Sequence, residues 1–345
     1  MGLATHLQLP DLVALQLQGW SDEALATAQI EGEILQLNSV RASAARRLGL
    51  ADGKKNKRDA RAEATLNLLQ GALQNSHRAL SHQTLFDWQA ALFPTGRSGT
   101  QKILTGAYRT HSEPMQIVTP RMGKPDLVHY QAPASEDVRR HMDLFIQWFN
   151  SSLGKQDGLV RAALAHLWFE TIHPFEDGNG RIGRALVEMA LAQDLQTEQR
   201  LWSLSQQIWH ERSSYYEQLQ SATSSANMDV TPWVQWFVAC IHKAADSSWG
   251  QMQSAMRKTR FWADLRELHL SLTPSQSKAI NKLYDAGQDG FSGGMSTEKY
   301  VNLCGVSRAT AYRELTALCE AGLLVQTGSG RGTRYQLHHA EGMGS

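Results

Sequence analysis

The chain has 345 residues, of which 42% are hydrophobic and 19% charged, with a formal net charge of +1. That is the balance of an ordinary soluble globular protein with room for two or three domains; it gives no global argument for nucleic acid or membrane as partner, so any basic patch must be local. The three cysteines (Cys240, Cys304, Cys319) form no C-x-x-C pair, and no leader pattern or long apolar run is present, so free thiols, a cytoplasmic location and no membrane partner are expected.

Up to about Gly99 the pattern is helical throughout. Ser21 reads as an N-cap for a helix over 22–38, whose first turn is acidic and whose apolar positions include Leu25, Ala28, Ile30, Ile34 and Leu37. Arg41, Arg46 and Arg47 read as a solvated helix face rather than a nucleic-acid patch. A basic, glycine-containing loop follows over 53–58, then an amphipathic helix over 61–73 with Leu66, Leu69 and Leu73 in register. Between 105 and 133 the texture changes. Prolines punctuate two β-like runs, 115–118 and 127–130, which predicts a hairpin.

Ser135 reads as the cap of a helix burying Val138, Met142, Phe145 and Phe149, and a helix over 158–171 leads to His173. His166, alone on that second helix, reads as a satisfied structural histidine, and no second histidine stands at zinc-ligand spacing with His173. Further helices follow over 203–219 and from Thr231 through Trp233, Phe237 and Ile241, then a polar helical connector over 246–272. A new unit over 273–340 reads helix, helix, turn, helix and β-hairpin, the last helix starting at Ser307.

The stretch around which the chain is organised is His173-Pro-Phe-Glu-Asp-Gly-Asn-Gly-Arg-Ile-Gly-Arg184. Gly178 and Gly180 allow the backbone to curl its N–H groups toward an anion, and the helical spacing of Ile182, Leu186 and Met189 places that turn at a helix N-terminus. Arg181 and Arg184, about one turn apart, can grip phosphates from one side. Asp177 is a hard oxygen ligand suited to a magnesium ion bridging those phosphates. His173 has the pKa range to take a proton from a hydroxyl at neutral pH.

This stretch resembles the signature of the Fic proteins, His-Pro-Phe-x-Asp/Glu-Gly-Asn-Gly-Arg-x-x-Arg, at every fixed position. The resemblance, covering most of 20–245, implies a mainly α fold: a Fic helical core with a β-hairpin flap, here with a small C-terminal winged helix-turn-helix domain. The expected organisation is an N-terminal helical region over 1–100, a catalytic core over 101–245, the connector and the winged helix. The implied activity is transfer of AMP from Mg-ATP to a Ser, Thr or Tyr hydroxyl of a target protein, with His173 as base, Asp177 on Mg2+, and Gly178, Asn179, Gly180, Arg181 and Arg184 on the phosphates.

Thr27-Ala-Gln-Ile-Glu31-Gly32 is similar to the family's inhibitory motif, which implies that Glu31 competes with the γ-phosphate for Arg184. Gly106 and Arg109 match the segment before the family's flap, so that Met115, Gln116, Ile117 and Val118 would dock the target as an added strand. Tyr215 and Tyr216 are similar to a Tyr-Tyr segment near the nucleotide. Arg308, Arg313, Arg331 and Arg334 would face phosphates if the winged helix takes DNA; binding to protein is the alternative. Removal of AMP with Glu31 orienting the water, and a nucleotide-sensing transcriptional regulator, are the rival functions. Self-modification and a homodimer stay open.

Overall fold

Every strand pairs with one neighbour only, so helix packing builds the structure: the computed structural model is mainly α, with three separate two-stranded sheets among the described residues. Those residues are 9–50, 59–113, 115–119, 127–199, 201–224, 229–286 and 293–338, so the loop over 53–58 lies outside them. Two compact units are present, one of residues 16–245 and one taking the chain from 246 onward together with the start of the first helix.

In the first unit, α1 (Leu9–Ile30), α2 (Leu37–Arg47) and α3 (Ala60–Gln74) bury Trp20, Ala24, Ala28, Val40, Leu66 and Leu69 in one cluster. The helix expected over 22–38 is in fact two. Ser21 does not cap: its hydroxyl donates 2.6 Å to the Leu17 carbonyl inside α1, the back-bonding a mid-helix serine adopts. α1 stops because Gly32 turns to φ +75°, where Gly32 N–H donates to the Gln29 carbonyl and Glu33 N–H to the Ala28 carbonyl. This is a Schellman closure, and it leaves Glu31 and Glu33 on either side of the turn.

α4 (His82–Leu92) is capped by Ser81, and β1 (Arg97–Ser98) with β2 (Gln101–Lys102) forms a small hairpin after it. The expected hairpin of 115–130 forms from β3 (Gln116–Thr119) and β4 (Leu127–Gln131), antiparallel with a register shift between Ile117 and Val118. Its connection, 120–126, lies outside the described residues. α5 (Ser135–Ser151) buries the four residues foreseen, although Ala134, without a side-chain cap, and not Ser135 stands at its N-cap.

The centre of this unit is the pair α6 (Gly158–Ile172) and α7 (Asn179–Leu195). A Cβ on Gly183 would lie 2.7 Å from Glu170 Oε1 and 3.0 Å from His166 Nδ1, so the close approach of the two helices requires glycine there. The helix expected over 203–219 breaks at Glu211 into α8 (Leu204–His210) and α9 (Arg212–Ser224).

α10 (Thr231–Glu267) runs unbroken for 37 residues, through the stretch expected as a connector; Trp233 and Phe237 enter the first core, while Phe261 and Trp262 pack on the second. The second unit adds α11 (Pro274–Asp285), α12 (Thr297–Cys304) and α13 (Arg308–Glu320), each capped by a side chain: Thr273, Ser296 and Ser307. β5 (Leu324–Thr327) and β6 (Arg334–Leu337) close it as a hairpin, and Ile280, Tyr300, Leu315 and Tyr335 form its core.

Candidate active site

His173 ends α6 in the left-handed region, φ 49°, a conformation uncommon for a residue with a Cβ. Arg109 holds it there. The buried guanidinium donates to the carbonyls of His173 (2.8 Å) and Pro133 (2.5 Å), while its backbone N–H donates to the Pro174 carbonyl. The flap is tied to the same point, since Tyr130 donates its hydroxyl 2.7 Å to the Thr171 carbonyl. His173 Nδ1 lies 3.3 Å from the Glu170 carbonyl, which favours the tautomer leaving the Nε2 lone pair free. Burial, with Arg109 nearby, pushes the imidazole down to about 4, so it is neutral at pH 7 and able to accept a proton.

The turn after His173 is shaped by its own side chains. Asn179 is buried, with its carbonyl oxygen accepting from Phe175 N–H (2.9 Å) and its amide donating to the Phe175 carbonyl (2.8 Å). Asn179 thereby folds the loop, and the second N–H of its amide is not used by these bonds. Gly178 has φ +90°, and its N–H donates to Asp177 Oδ1. A Cβ there would meet Phe93 at 3.0 Å. The other Asp177 oxygen accepts from Ser98 on β1. Asp177 is partly exposed, and its carboxylate is the group of this turn that would hold a magnesium ion.

Arg184 is 2% exposed. Its Nε donates 2.7 Å to Thr27 Oγ1, and its Nη2 donates 2.6 Å to Glu31 Oε1 and 3.2 Å to the Thr27 carbonyl. Thr27 and Glu31 stand one helical turn apart on α1, so a single face of α1 delivers both. The Glu31 carboxylate also overlies the start of α7: a Cβ on Gly180 would be 2.3 Å from Glu31 Oε1. A carboxylate therefore sits where the amides and dipole of a helix N-terminus draw an anion. Burial works to raise Glu31, but Arg184, by charge and hydrogen bond, and then Arg181 and His173 hold it below the usual carboxylate range. Gly32 meets nothing within 4 Å and serves the turn alone.

Arg181 carries a carboxylate too. Its Nη1 donates 2.9 Å to Glu33 Oε1, its Nη2 lies 3.6 Å from Asp177 Oδ1, and its guanidinium stands 5.0 Å from the Phe93 ring centre. Tyr215 and Tyr216 divide. Tyr215 is buried, its hydroxyl 2.9 Å from His166 Nε2, so its ring belongs to the wall behind Arg184 and not to an adenine cover. Tyr216 is 41% exposed and donates its hydroxyl to the Ile30 carbonyl at the end of α1. Met115 accepts Ala132 N–H through its backbone, and the side chains of Gln116, Ile117 and Val118 lie outside the described residues.

Sequence reasoning passed over Glu33, Ser98 and Glu170. Glu33 flanks a motif already singled out, and Glu170 precedes His173 by three residues on the same helix, but Ser98 carries no local signal. Glu170 is buried, with Oε2 3.7 Å from His173 Nδ1. Burial and then the Glu31 carboxylate push its carboxyl up to about 8.

Residues 79–191 match a family model described as Fic/DOC family. This stretch is similar to Fic domains. Residues 1–50 match a domain of unknown function (DUF4172), and residues 292–338 match a model described as transcriptional regulator DIP2311-like, C-terminal domain. Among curated relatives, the protein adenylyltransferase Fic of Nematostella vectensis is 27% identical over 143 residues, 40% of this chain and 30% of the relative. That of Drosophila virilis is 29% identical over 165 residues, 47% of this chain and 32% of the relative. The chain thus spans about a third of the length of the curated relatives it matches. Among solved structures, a Fic family protein from Desulfovibrio desulfuricans G20 aligns with TM-score 0.50 and 22% identity over 95% of this chain and 88% of its own. A Fic domain containing signaling protein from Bacteroides thetaiotaomicron VPI-5482 aligns with TM-score 0.52 and 17% identity over 73% and 90%. Both similarities are of fold.

The raised Glu170 carboxyl sets a pH signature. Because the folded value of about 8 exceeds the ordinary 4.5, the stability it contributes is whole below pH 4.5 and is lost as pH rises through 8. Glu170→Gln removes that loss. The thermal midpoint of the variant minus that of the parent is expected to grow between pH 5 and pH 8, and a difference that stays constant with pH would contradict the assignment.

Proposed function

We propose that this chain is a protein adenylyltransferase that moves AMP from ATP to a hydroxyl of a target protein and is held inhibited by Glu31. The observation that carries the reading is the buried Arg184 guanidinium gripped by Thr27 and Glu31, with the Glu31 carboxylate lying over Gly180 at the start of α7 and within electrostatic reach of His173 and Arg181. A base, a carboxylate and two arginines converging on one helix start have the composition of a nucleoside triphosphate site. The names of the curated relatives, protein adenylyltransferases, support the same chemistry.

In the proposed reaction the hydroxyl oxygen of the target attacks the α-phosphorus. The new P–O bond forms as the bond to the β-phosphate bridging oxygen breaks, and pyrophosphate leaves with the electron pair. His173 takes the hydroxyl proton on Nε2. The first-turn amides of α7 face the phosphates, Arg181 meets the β-phosphate and Arg184 the γ-phosphate. A magnesium ion on Asp177 would neutralise charge on the leaving phosphates. The backbone of β3 would hold the target segment, presenting its hydroxyl toward His173. Glu31 blocks this arrangement, because one guanidinium face cannot serve a carboxylate and a phosphate together.

A second reading concerns the C-terminal unit, whose match to a transcriptional regulator model favours DNA as its partner. On α13, Arg308, Tyr312 and Arg313 are exposed, while Ala311, Leu315 and Leu318 are buried in the core. That is the placement of a helix able to meet phosphates and base edges. Arg334, by contrast, donates to its neighbour's Thr333 carbonyl, and the Arg331 side chain lies outside the described residues.

With ATP labelled in its α-phosphate, Glu31→Gly is expected to raise labelling of the chain or of target proteins at least tenfold, and His173→Ala in that background to abolish it. Equal labelling by the Glu31 variant and the parent would refute the inhibition. Release of AMP from a modified target without ATP would favour removal over transfer. Gel-shift with random-sequence duplex DNA should show a retarded band that weakens in Arg308→Ala, and absence of any shift would leave protein as the partner of this unit.

A further inference from the structure

The turn that ends α1 places two carboxylates, not one, against the arginines of the signature. Glu31 meets Arg184 at 2.6 Å, and Glu33, beyond Gly32, meets Arg181 at 2.9 Å. The two pairs have one structural cause. The closure at Gly32 reverses the chain, fixing Glu33 N–H on the Ala28 carbonyl, so both side chains project from the end of α1 toward the first turn of α7.

Several observations set the Glu33 pair apart from a surface ion pair. The Arg181 side chain is only 6% exposed, and that of Glu33 28%. Arg181 is further fixed by the Phe93 ring and by Asp177, so its guanidinium has one direction to offer, and Glu33 occupies it. The contact is also incomplete. Glu33 Oε2 and Arg181 Nε are buried without hydrogen-bond partners, so the pair is joined through one oxygen and one nitrogen. A nucleotide phosphate presents at least two free oxygens and can satisfy a guanidinium in two-pronged fashion, so it can displace a carboxylate held through a single oxygen.

We infer that Glu33 is a second carboxylate in the phosphate site, seated on Arg181 where a nucleotide's β-phosphate binds, so that nucleotide entry must displace Glu33 as well as Glu31. The inference rests on the nucleotide reading above and deepens it by dividing the inhibition between two phosphates. Glu31 excludes the γ-phosphate from Arg184, and Glu33 excludes the β-phosphate from Arg181. A nucleoside diphosphate, which has no γ-phosphate, does not compete with Glu31 for Arg184 but does compete with Glu33 for Arg181. The resting site discriminates against both nucleotides, and loss of Glu31 alone leaves half the obstruction in place.

Calorimetric titration of the full chain with Mg-ADP and Mg-ATP separates the two contacts. Glu33→Ala is expected to tighten ADP and ATP alike by about ten- to a hundredfold, the worth of a hydrogen bond to a charged group. Glu33→Gln should give a smaller gain with the side-chain volume kept. Glu31→Gln should tighten ATP and leave ADP near the parent value, and the double variant should bind ATP more tightly than either. If Glu31→Gln tightens ATP while both Glu33 variants bind both nucleotides like the parent, Glu33 is no part of the site and the inhibition by Glu31 stands. If no variant, the double included, binds either nucleotide, the nucleotide reading fails and this inference fails with it.

Discussion

The structure of the first unit is arranged around the fate of one cation. Arg184 is enclosed within α7, and a buried guanidinium must have its charge answered; taking one partner from a buried ion pair costs about 3 to 5 kcal/mol. Thr27 and Glu31 supply that answer from α1, more than 150 residues away in sequence. The contact is therefore structural and, under the proposed function, inhibitory at once. A phosphate can take the place of Glu31 because it brings its own charge, whereas water alone is a poor substitute. This makes exchange between carboxylate and phosphate a natural way for such a site to be off without being unfolded.

Under the proposed function, the scaffold would keep the remaining chemistry fixed during that exchange. Arg109 clamps the His173 carbonyl, Asn179 closes the loop on Phe175, and Gly183 lets α6 and α7 pack closely enough to enclose His166 and Glu170. None of these contacts involves α1. The imidazole, the Asp177 carboxylate and the helix N-terminus are thus positioned independently of the turn at Gly32, and the proposed function requires only that the end of α1 yield. Glu23 opposes loss of the whole helix: its buried carboxylate accepts from Ser203 Oγ (2.8 Å), Ser205 N–H (3.0 Å) and the Ser205 hydroxyl. The middle of α1 is thereby anchored, and under the proposed function only its last turn has to give way.

Much of this was legible in the sequence, for identifiable reasons. The signature carries its chemistry within twelve consecutive residues, so base, carboxylate, glycine turn and arginines are read together. The three helices of the second unit are local too, and α11, α12 and α13 form close to the expected spans. What escaped depends on long-range packing. Ser21 has the composition of a cap, yet its hydroxyl turned back to Leu17 because apolar packing on α2 and α3 carries α1 straight through it. Tyr215 and Tyr216 are adjacent and alike in sequence, and only the position of His166 decides that one is wall and the other surface. Glu33 looks like an ordinary loop acid until the turn at Gly32 brings it to Arg181.

The central claim is that nucleotide phosphate and the Glu31 carboxylate exclude each other on Arg184. Its most direct test is a crystal structure of the chain with bound Mg-ATP. The account predicts that Arg184 will have left Glu31 and contact the γ-phosphate, with His173, Asn179 and Arg109 unmoved. A structure with the triphosphate fully engaged against α7 while the Arg184–Glu31 contact persists would contradict it.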